Sequence, residues 1–332
     1  MNKGCVGIEI GTRQVKMVQW EDSGQYREET ELLPDHYVCN GRVTAIEALG
    51  EFLKDMARKY SMTKPWCCLV LPDSVTYTRR LKMPAMTVRH LKLNLPYEFH
   101  DYIQNKREPY VFDYAVINLE YRHGQKPVSM DLMAAAAPRR VIEEYEKMLR
   151  IGGWKVKAAA PVTFAYSNLI REYEKGKGIL APKDYCFVDL GYHTTKIFFF
   201  HGNGLEAGRE LEAGCEQLTW EDGPCRQLYE TVGMAVRRTL EFYYFRFPDR
   251  KLKEIYFCGG GSRIEAFRET VAEYTGLDSR FAGELVLKTG FEKNDREIRI
   301  LSPGAAGIAI SDFQSGSKML ERLKERVGSW FI

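Results

Sequence analysis

The sequence predicts an α/β protein of two similar lobes, with a compact α+β block inserted into the first lobe. Three observations favour this class. The chain has 332 residues, about twice the length of a typical single domain. Apolar strand-like runs alternate with segments of helical periodicity along most of its length. The pattern that opens the chain also recurs at a spacing of about 180 residues, from Glu9 to Asp189, which indicates a weak internal duplication.

Composition and charge exclude several classes of protein. Hydrophobic residues make up 45% and charged residues 28%, as in globular chains and unlike collagen-like or disordered ones. The formal net charge of +3 is too small for counterion release to drive nucleic-acid binding, so we expect no nucleic-acid partner. No stretch approaches the roughly 18 apolar residues of a membrane span, and the first residues lack the apolar core of a leader peptide. We therefore expect a cytoplasmic protein.

Cysteines and histidines give no sign of a metal centre. The eight cysteines include no Cys-x-x-Cys pair and lie mostly in apolar strand-like runs, and the six histidines are scattered. We interpret the cysteines as reduced core residues.

The first lobe is predicted over residues 1–78 and is completed by about 161–178. It opens with a buried strand that ends in a glycine turn at Gly11, and a second strand follows at residues 15–20. Because no helical pattern follows Gly11, the strand-to-helix passage of a Rossmann or P-loop fold is excluded. The lobe continues with a helix at residues 45–60, a strand at 66–71 and, after the insertion, a helix at 163–173.

The inserted subdomain is predicted over residues 79–160. Its pattern comprises a first strand, a helix at 88–104, strands at 114–121 and 130–136, a helix at 138–151 and a strand at 154–159.

The second lobe, over residues 184–314, repeats the opening hairpin. It continues with a helix at 226–247, a strand at 255–258, a helix at 264–274 and a small-residue helix at 303–310 that we expect to pack close to other backbone.

The two hairpin turns have the composition of a site for nucleotide phosphates and magnesium. Glycine lets backbone amides approach phosphate oxygens because no Cβ blocks the way. Lys16, on the returning strand, can meet a phosphate as a point charge, and the carboxylates of Glu9 and Asp189 can hold Mg²⁺ largely through its waters. A glycine triplet at 259–261 lets an adenosine lie flat against the backbone. Candidate nucleotide-binding residues are Gly11, Thr12, Arg13, Lys16, Asp189, Gly191, His193, Thr194, Thr195, Gly259, Gly260 and Gly261; candidate magnesium ligands are Glu9 and Asp189.

Each motif alone is also typical of an ordinary hairpin or a flexible connection. Together they resemble the actin-like superfamily, which includes sugar kinases, actin, heat-shock chaperones and the division protein FtsA. Residues 9–16 resemble its first phosphate motif, residues 189–195 its second and residues 258–262 its adenosine motif. Within the superfamily the chain is most similar to the PilM family of type IV pilus assembly proteins, through residues 71–75, 80–84, 134–138, 141–145 and 214–219.

The resemblance runs from about residue 6 to residue 310 and implies an actin-like, ribonuclease H-like fold. It also implies a cytoplasmic scaffold at the inner face of the cell membrane, which binds ATP and Mg²⁺ between its lobes. Its implied partner is the N-terminal cytoplasmic tail of a PilN-like inner-membrane protein, docked beside the inserted subdomain. Two alternatives stay open, an active ATPase of the superfamily and an FtsA-like membrane tether that polymerises.

Three departures from the family pattern bear on activity. Glu9 stands where many relatives have aspartate. Ala160 and Val162 stand where relatives carry acidic side chains that position the attacking water, and the adenine-side segment at about 215–254 is shortened. We therefore expect weak or vestigial ATP binding and at most slow hydrolysis.

Residues 315–332 form a predicted amphipathic tail. Its apolar face, which resembles the membrane-targeting tail of FtsA, comprises Met319, Leu320, Leu323, Val327, Trp330 and Phe331. The alternative is a terminal helix docked on its own chain or on a second copy in a homo-oligomer.

Overall fold

The computed structural model describes residues 5–20, 26–39, 41–62, 64–103, 107–122, 126–181, 183–218, 226–287 and 302–310. The strands are β1 (Val6–Ile10), β2 (Gln14–Trp20), β3 (Tyr26–Leu32), β4 (Val38–Cys39), β5 (Arg42–Val43), β6 (Trp66–Leu71), β7 (Tyr77–Pro84), β8 (Tyr110–Tyr121), β9 (Pro127–Pro138), β10 (Lys155–Pro161), β11 (Asp184–Leu190), β12 (Thr195–His201), β13 (Gly204–Leu211), β14 (Glu254–Cys258) and β15 (Asp278–Phe281). The helices are α1 (Ile46–Lys59), α2 (Val88–Glu98), α3 (Arg139–Ile151), α4 (Val162–Gly176), α5 (Arg226–Arg246), α6 (Glu265–Thr275), α7 (Gly283–Leu287) and α8 (Pro303–Ala309).

The first lobe is built on a five-stranded sheet in the order β10-β6-β1-β2-β3, parallel at β10-β6-β1 and antiparallel from β1 to β3. Alternation along β1 separates the two faces of this sheet. Ile8 points into a core with α1 and α3, whereas Gly7 lies under α8, where an added Cβ would come within 2.0 Å of the Ala305 carbonyl oxygen. The small-residue helix therefore packs directly on backbone, as the sequence predicted.

The second lobe repeats this topology in the order β13-β12-β11-β14-β15. One face of its sheet packs on α5 and α6. Its other face joins α4 and α8 in a core shared with the first lobe, where the rings of Tyr166 and Phe187 stack at a centroid distance of 4.7 Å. The shared helices hold the two sheets in a fixed relation.

The inserted subdomain contains an antiparallel sheet in the order β7-β9-β8, and α2 covers one face of it. Strand pairing places β10, at the end of the predicted block 79–160, in the sheet of the first lobe beside β6. Helix α3 packs against α1 of the same lobe. The chain thus returns to the first lobe at α3.

Five strands escaped the sequence analysis: the short strands β4, β5 and β15, and two longer ones, β3 and β13. Both are edge strands with charged, half-exposed residues, Arg27 to Glu31 in β3 and Glu206 to Glu210 in β13, so neither shows an apolar run. The helix predicted at 88–104 ends at Glu98, where Phe99 turns into the core and is fully buried. Among the described cysteines, all are free and most are buried, as predicted.

No helix in the described part of the chain is long and apolar enough to cross a membrane. The predicted amphipathic tail at 315–332 and residues 219–225 of the shortened adenine-side segment lie outside the described residues.

Candidate functional site: the cleft between the hairpin turns

A cleft of about 900 Å³ lies between the lobes at the carboxyl ends of β1, β6, β11 and β14. In open α/β sheets ligands bind at this edge of the strands. The cleft brings together most of the residues singled out in the sequence. Those that line it are Glu9, Gly11, Thr12, Arg13, Lys16, Asp189, Gly191, His193, Thr194, Gly259 and Gly260.

Two of the candidate residues do not line the cleft. Thr195 is fully buried, and its hydroxyl donates to the Ala213 carbonyl oxygen at 2.6 Å. Gly261 is buried against the side chain of Leu190, which an added Cβ would approach to 2.2 Å. Both residues lie in the second lobe behind the residues that line the cleft.

The two hairpin turns have the same backbone geometry. The Gly11 amide donates to the Gln14 carbonyl oxygen at 2.8 Å, and the Gly191 amide donates to the Thr194 carbonyl oxygen at 2.9 Å. Strand register places Glu9 opposite Lys16 in the first hairpin and Asp189 opposite Lys196 in the second. The duplication therefore extends to individual residues, with an acid and a lysine paired across each hairpin.

In the first lobe this acid and lysine form an internal ion pair. The Lys16 ammonium lies 2.9 Å from Glu9 Oε1, and the Ser302 hydroxyl donates to Glu9 Oε2 at 2.7 Å. Burial alone would raise the pKa of Glu9, but the Lys16 charge and the Ser302 hydrogen bond outweigh it and hold that pKa below its usual value. The pKa of Lys16 is raised because attraction to Glu9 and Asp189 exceeds the effect of burial. Both side chains are charged at neutral pH.

In the second lobe the acid has no such partner. Burial raises the pKa of Asp189, and the nearby Glu9 charge adds to the effect, although Lys16 opposes it. The Tyr166 hydroxyl lies 3.3 Å from Asp189 Oδ2, and Asp189 takes part in no ion pair within the described ranges. Lys196 instead contacts Asp73 of the first lobe, at 2.7 Å.

The glycines that follow β14 leave backbone open to the cleft. Gly259 has φ +78°, and a Cβ there would come within 2.2 Å of Asp189 Oδ1. At Gly260, which also lines the cleft, an added Cβ would meet nothing within 4 Å. A flat ring can therefore approach this backbone closely.

Charge in the cleft favours a ligand that brings a divalent cation. Five carboxylates line it against three permanent cations, Arg13, Lys16 and Lys196. The carboxylates are those of Glu9, Asp73, Asp189, Glu210 and Glu212. The described residues contain no cluster of three or more His, Cys, Asp or Glu side chains able to hold a metal ion by themselves. This donor set fits Mg²⁺, which usually keeps several waters and binds through one or two carboxylates together with substrate phosphates.

Sequence reasoning missed several members of this site, among them Asp73, Lys196, Ser302 and Tyr166. Lys196 had a detectable signal, since it repeats in the second hairpin the position of Lys16 in the first. Asp73 also had a detectable signal, since it follows β6, which was predicted as a strand at 66–71. A parallel neighbour of β1 must end at the same sheet edge. Ser302 and Tyr166 contact the site only through the packing of α8 and α4, which no local pattern reveals.

Two lobes of one topology, with matched acid-and-glycine turns facing each other across a cleft, define a protein of the actin-like fold. A family model described as type IV pilus assembly protein PilM matches residues 7–221. The chain belongs to this family, as the sequence motifs predicted.

Solved structures agree with this assignment. The chain is similar to a PilM-PilN type IV pilus biogenesis complex, with a TM-score of 0.77 and 18% identity over 93% of this chain and 98% of that one. It is also similar to the ethanolamine utilization protein EutJ from Carboxydothermus hydrogenoformans, with a TM-score of 0.53 and 12% identity over 92% and 89% of the two chains. At these identities the likeness is one of fold. No curated protein matches the sequence.

Proposed function

We propose that this protein is a cytoplasmic actin-like scaffold of the type IV pilus inner-membrane platform, which binds Mg-ATP weakly in the cleft between its lobes and hydrolyses it slowly or not at all. The observation that carries the nucleotide proposal is the pair of matched turns, in the same strand register, that face one cleft with their glycines and lysines.

The residues of the cleft have distinct roles in this proposal. The tips of the turns, at residues 12–13 and 192–194, surround the phosphates, and Lys16 and Lys196 supply positive charge. Glu9 and Asp189 would hold Mg²⁺ through its waters, and the charge of the ion would offset the excess of carboxylates in the cleft. The open backbone at Gly260 faces the base and sugar.

Slow hydrolysis follows from the junction of β10 and α4. Val162 lines the cleft at this junction, and Ala160 beside it is buried. Neither side chain can accept a proton or orient a water for attack on the terminal phosphate. A bound triphosphate would therefore persist.

Calorimetry with Mg-ATP tests the binding proposal. We expect weak binding by the wild type, no measurable binding by Asp189→Asn, and unchanged binding by Asp101→Asn, which removes the same charge from an exposed site on the inserted subdomain. ATP with excess EDTA should bind far less, because the carboxylates then repel the phosphates. Wild-type binding equal to that of Asp189→Asn would refute the site, and rapid phosphate release would refute the scaffold reading in favour of an active ATPase.

We further propose that the partner is the short N-terminal cytoplasmic tail of a PilN-like membrane protein. Support comes from membership of the PilM family and from similarity to a PilM-PilN complex. Within the part of the chain that the structure describes, the inserted sheet ends at β8, a strand of 12 residues that pairs with β9, so its other edge can receive an extended peptide. A labelled tail peptide from a neighbouring gene product should bind the full chain in anisotropy, and its scrambled version should not.

A direct membrane contact through the amphipathic tail is a separate proposal, which rests on the apolar face of residues 319–331. Removal of residues 316–332 should abolish co-sedimentation with anionic liposomes. Unchanged co-sedimentation would leave the membrane link to the partner protein alone.

A further inference from the structure

Lys16 and Lys196 occupy equivalent positions in the duplicated hairpins but make different ion pairs. Lys16 contacts Glu9, the acid opposite it in its own hairpin. Lys196 stands opposite Asp189 in the same register, yet its ammonium crosses the cleft to Asp73 of the first lobe. The lysine of the second hairpin therefore forms its ion pair with the opposite lobe.

Hydrogen bonds constrain the backbone around Asp73. It begins a short helical turn, Asp73–Val75, in which the Thr76 amide donates to the Asp73 carbonyl oxygen at 3.3 Å. The next residue, Ser74, donates through its hydroxyl to the Gly41 carbonyl oxygen at 2.8 Å and so ties the turn to the neighbouring loop. These two hydrogen bonds constrain the backbone on either side of Asp73, whose side chain lines the cleft.

The pair is sheltered but reachable by a ligand. Both side chains are 23% exposed and both line the cleft. Burial alone would lower the pKa of Lys196, but the Asp73 carboxylate outweighs it and the pKa is raised. A carboxylate and a phosphate both accept hydrogen bonds from an ammonium group and repel each other at short range. The two anions cannot both lie against Lys196 without a cost.

We propose that Asp73 is an internal competitor of the nucleotide: its carboxylate and the anionic end of the nucleotide compete for the Lys196 ammonium. It pairs with Lys196 when no ligand is present, links the lobes across the cleft, and must release Lys196 when a polyphosphate binds. This inference rests on the proposed nucleotide site and adds to it the residue that sets its affinity. The ion pair between the inserted sheet and the second lobe, Arg80 to Glu206 at 2.6 Å, lies outside the cleft lining.

A double-mutant cycle on Mg-ATP affinity tests the proposal. Asp73→Asn keeps the size of the side chain and removes its charge, so it should bind Mg-ATP about tenfold more tightly than the wild type. In a Lys196→Met background the same substitution should give no gain, because no ammonium is left to release. Asp73→Ser should reproduce the gain of Asp73→Asn, which separates the loss of charge from any effect of the asparagine amide.

The matched control is Glu47→Gln, which removes the same charge from the first lobe by breaking an exposed ion pair with Lys147. We expect it to leave the affinity unchanged. Hydrogen exchange without nucleotide should also show faster exchange at residues 73–76 and 190–196 in Asp73→Asn than in the control.

The outcomes separate this inference from the proposed function. If the wild type and Asp73→Asn bind equally well, the competitor is refuted and the nucleotide site stands. If Asp73→Asn still tightened Mg-ATP binding in the Lys196→Met background, the competitor would also be refuted. The tighter binding would then come from weaker repulsion between the cleft carboxylates and the phosphates, not from the release of Lys196. If no variant binds, the proposed nucleotide function fails and the competitor fails with it. Binding by Asp73→Asn alone would support both.

Discussion

The two hairpins of the cleft have the same turn hydrogen bond and the same strand register, but their charged side chains have different partners. In the first, Glu9 and Lys16 neutralise each other, and Ser302 occupies the second carboxylate oxygen. In the second, Asp189 accepts a long hydrogen bond from Tyr166 and has no ion pair among the described residues, while Lys196 reaches across to Asp73. We call the hairpin of Glu9 and Lys16 the closed half of the cleft, because its acid and lysine pair with each other. The hairpin of Asp189 and Lys196 is the open half, because its acid and lysine do not.

This difference indicates a division of labour. Removing one partner of a buried ion pair destabilises a fold strongly, because the other charge is then left buried and unpaired. A carboxylate that is buried without a cation has a raised pKa and is the kind of group that marks a functional site. We infer that the first hairpin contributes more to stability and the second more to ligand binding.

The largest effect is expected from removing the lysine of the closed half. Lys16→Met leaves the Glu9 carboxylate buried without its cation, which should lower the free energy of unfolding by about 3–5 kcal/mol. Lys196→Met breaks a more exposed pair and should cost only about 1 kcal/mol. Urea denaturation of both variants measures the contrast.

Equal losses in the two variants would contradict the division of labour. A useful reference is Lys54→Met, which breaks an exposed pair with Glu51 within α1 and should cost less than either.

Adjacent glycines of the open half give the next prediction. Gly259→Ala would force a Cβ to within 2.2 Å of Asp189 Oδ1 at a positive φ, so it should cost about 2–4 kcal/mol of unfolding free energy. Gly260→Ala, one residue away, meets no atom within 4 Å and should leave stability nearly unchanged. If Gly260→Ala nevertheless weakens Mg-ATP binding, that residue faces the ligand. Similar thermal midpoints for the two variants would show that the Asp189 carboxylate can move away from Gly259.

Much of this fold follows from local sequence, because buried strands and helices leave apolar periodicity. The cores around Ile8, Leu53 and Phe187 were visible for that reason. The edge strands β3 and β13 were not, since half-exposed edge strands favour charged residues over an apolar pattern.

The site was predictable as far as its motifs extend along one stretch of chain. Glu9, Gly11 and Lys16 lie within one hairpin, so their spacing already places them together. Ser302 reaches Glu9 from 293 residues away, and Asp73 reaches Lys196 from 123. Such contacts depend on how the lobes pack together, and the sequence around one residue does not predict its distant partner. The different fates of Lys16 and Lys196 are invisible in sequence for the same reason.

The smallest predicted effect is also the most diagnostic, because its sign differs between the two acids. The pKa of Glu9 is lowered in the fold, so its charge contributes stability above the unfolded pKa, and that stability is lost as the pH falls through the folded value. The pKa of Asp189 is raised, so its charge opposes folding at neutral pH, and acidification through the raised value relieves that penalty. Glu9→Gln should therefore destabilise the protein at pH 7, whereas Asp189→Asn should stabilise it by about 1 kcal/mol.

Urea denaturation at pH 7 and pH 5 measures both effects. The gain from Asp189→Asn should shrink as the pH falls, because the raised pKa lets the wild-type carboxyl take up a proton at a higher pH in the folded than in the unfolded chain. Glu9→Gln should keep most of its loss at pH 5, because the lowered pKa keeps Glu9 ionised there. Should Asp189→Asn instead destabilise the protein at pH 7, the Asp189 carboxylate would be satisfied in the fold as fully as Glu9 is, and the second hairpin would be as closed as the first.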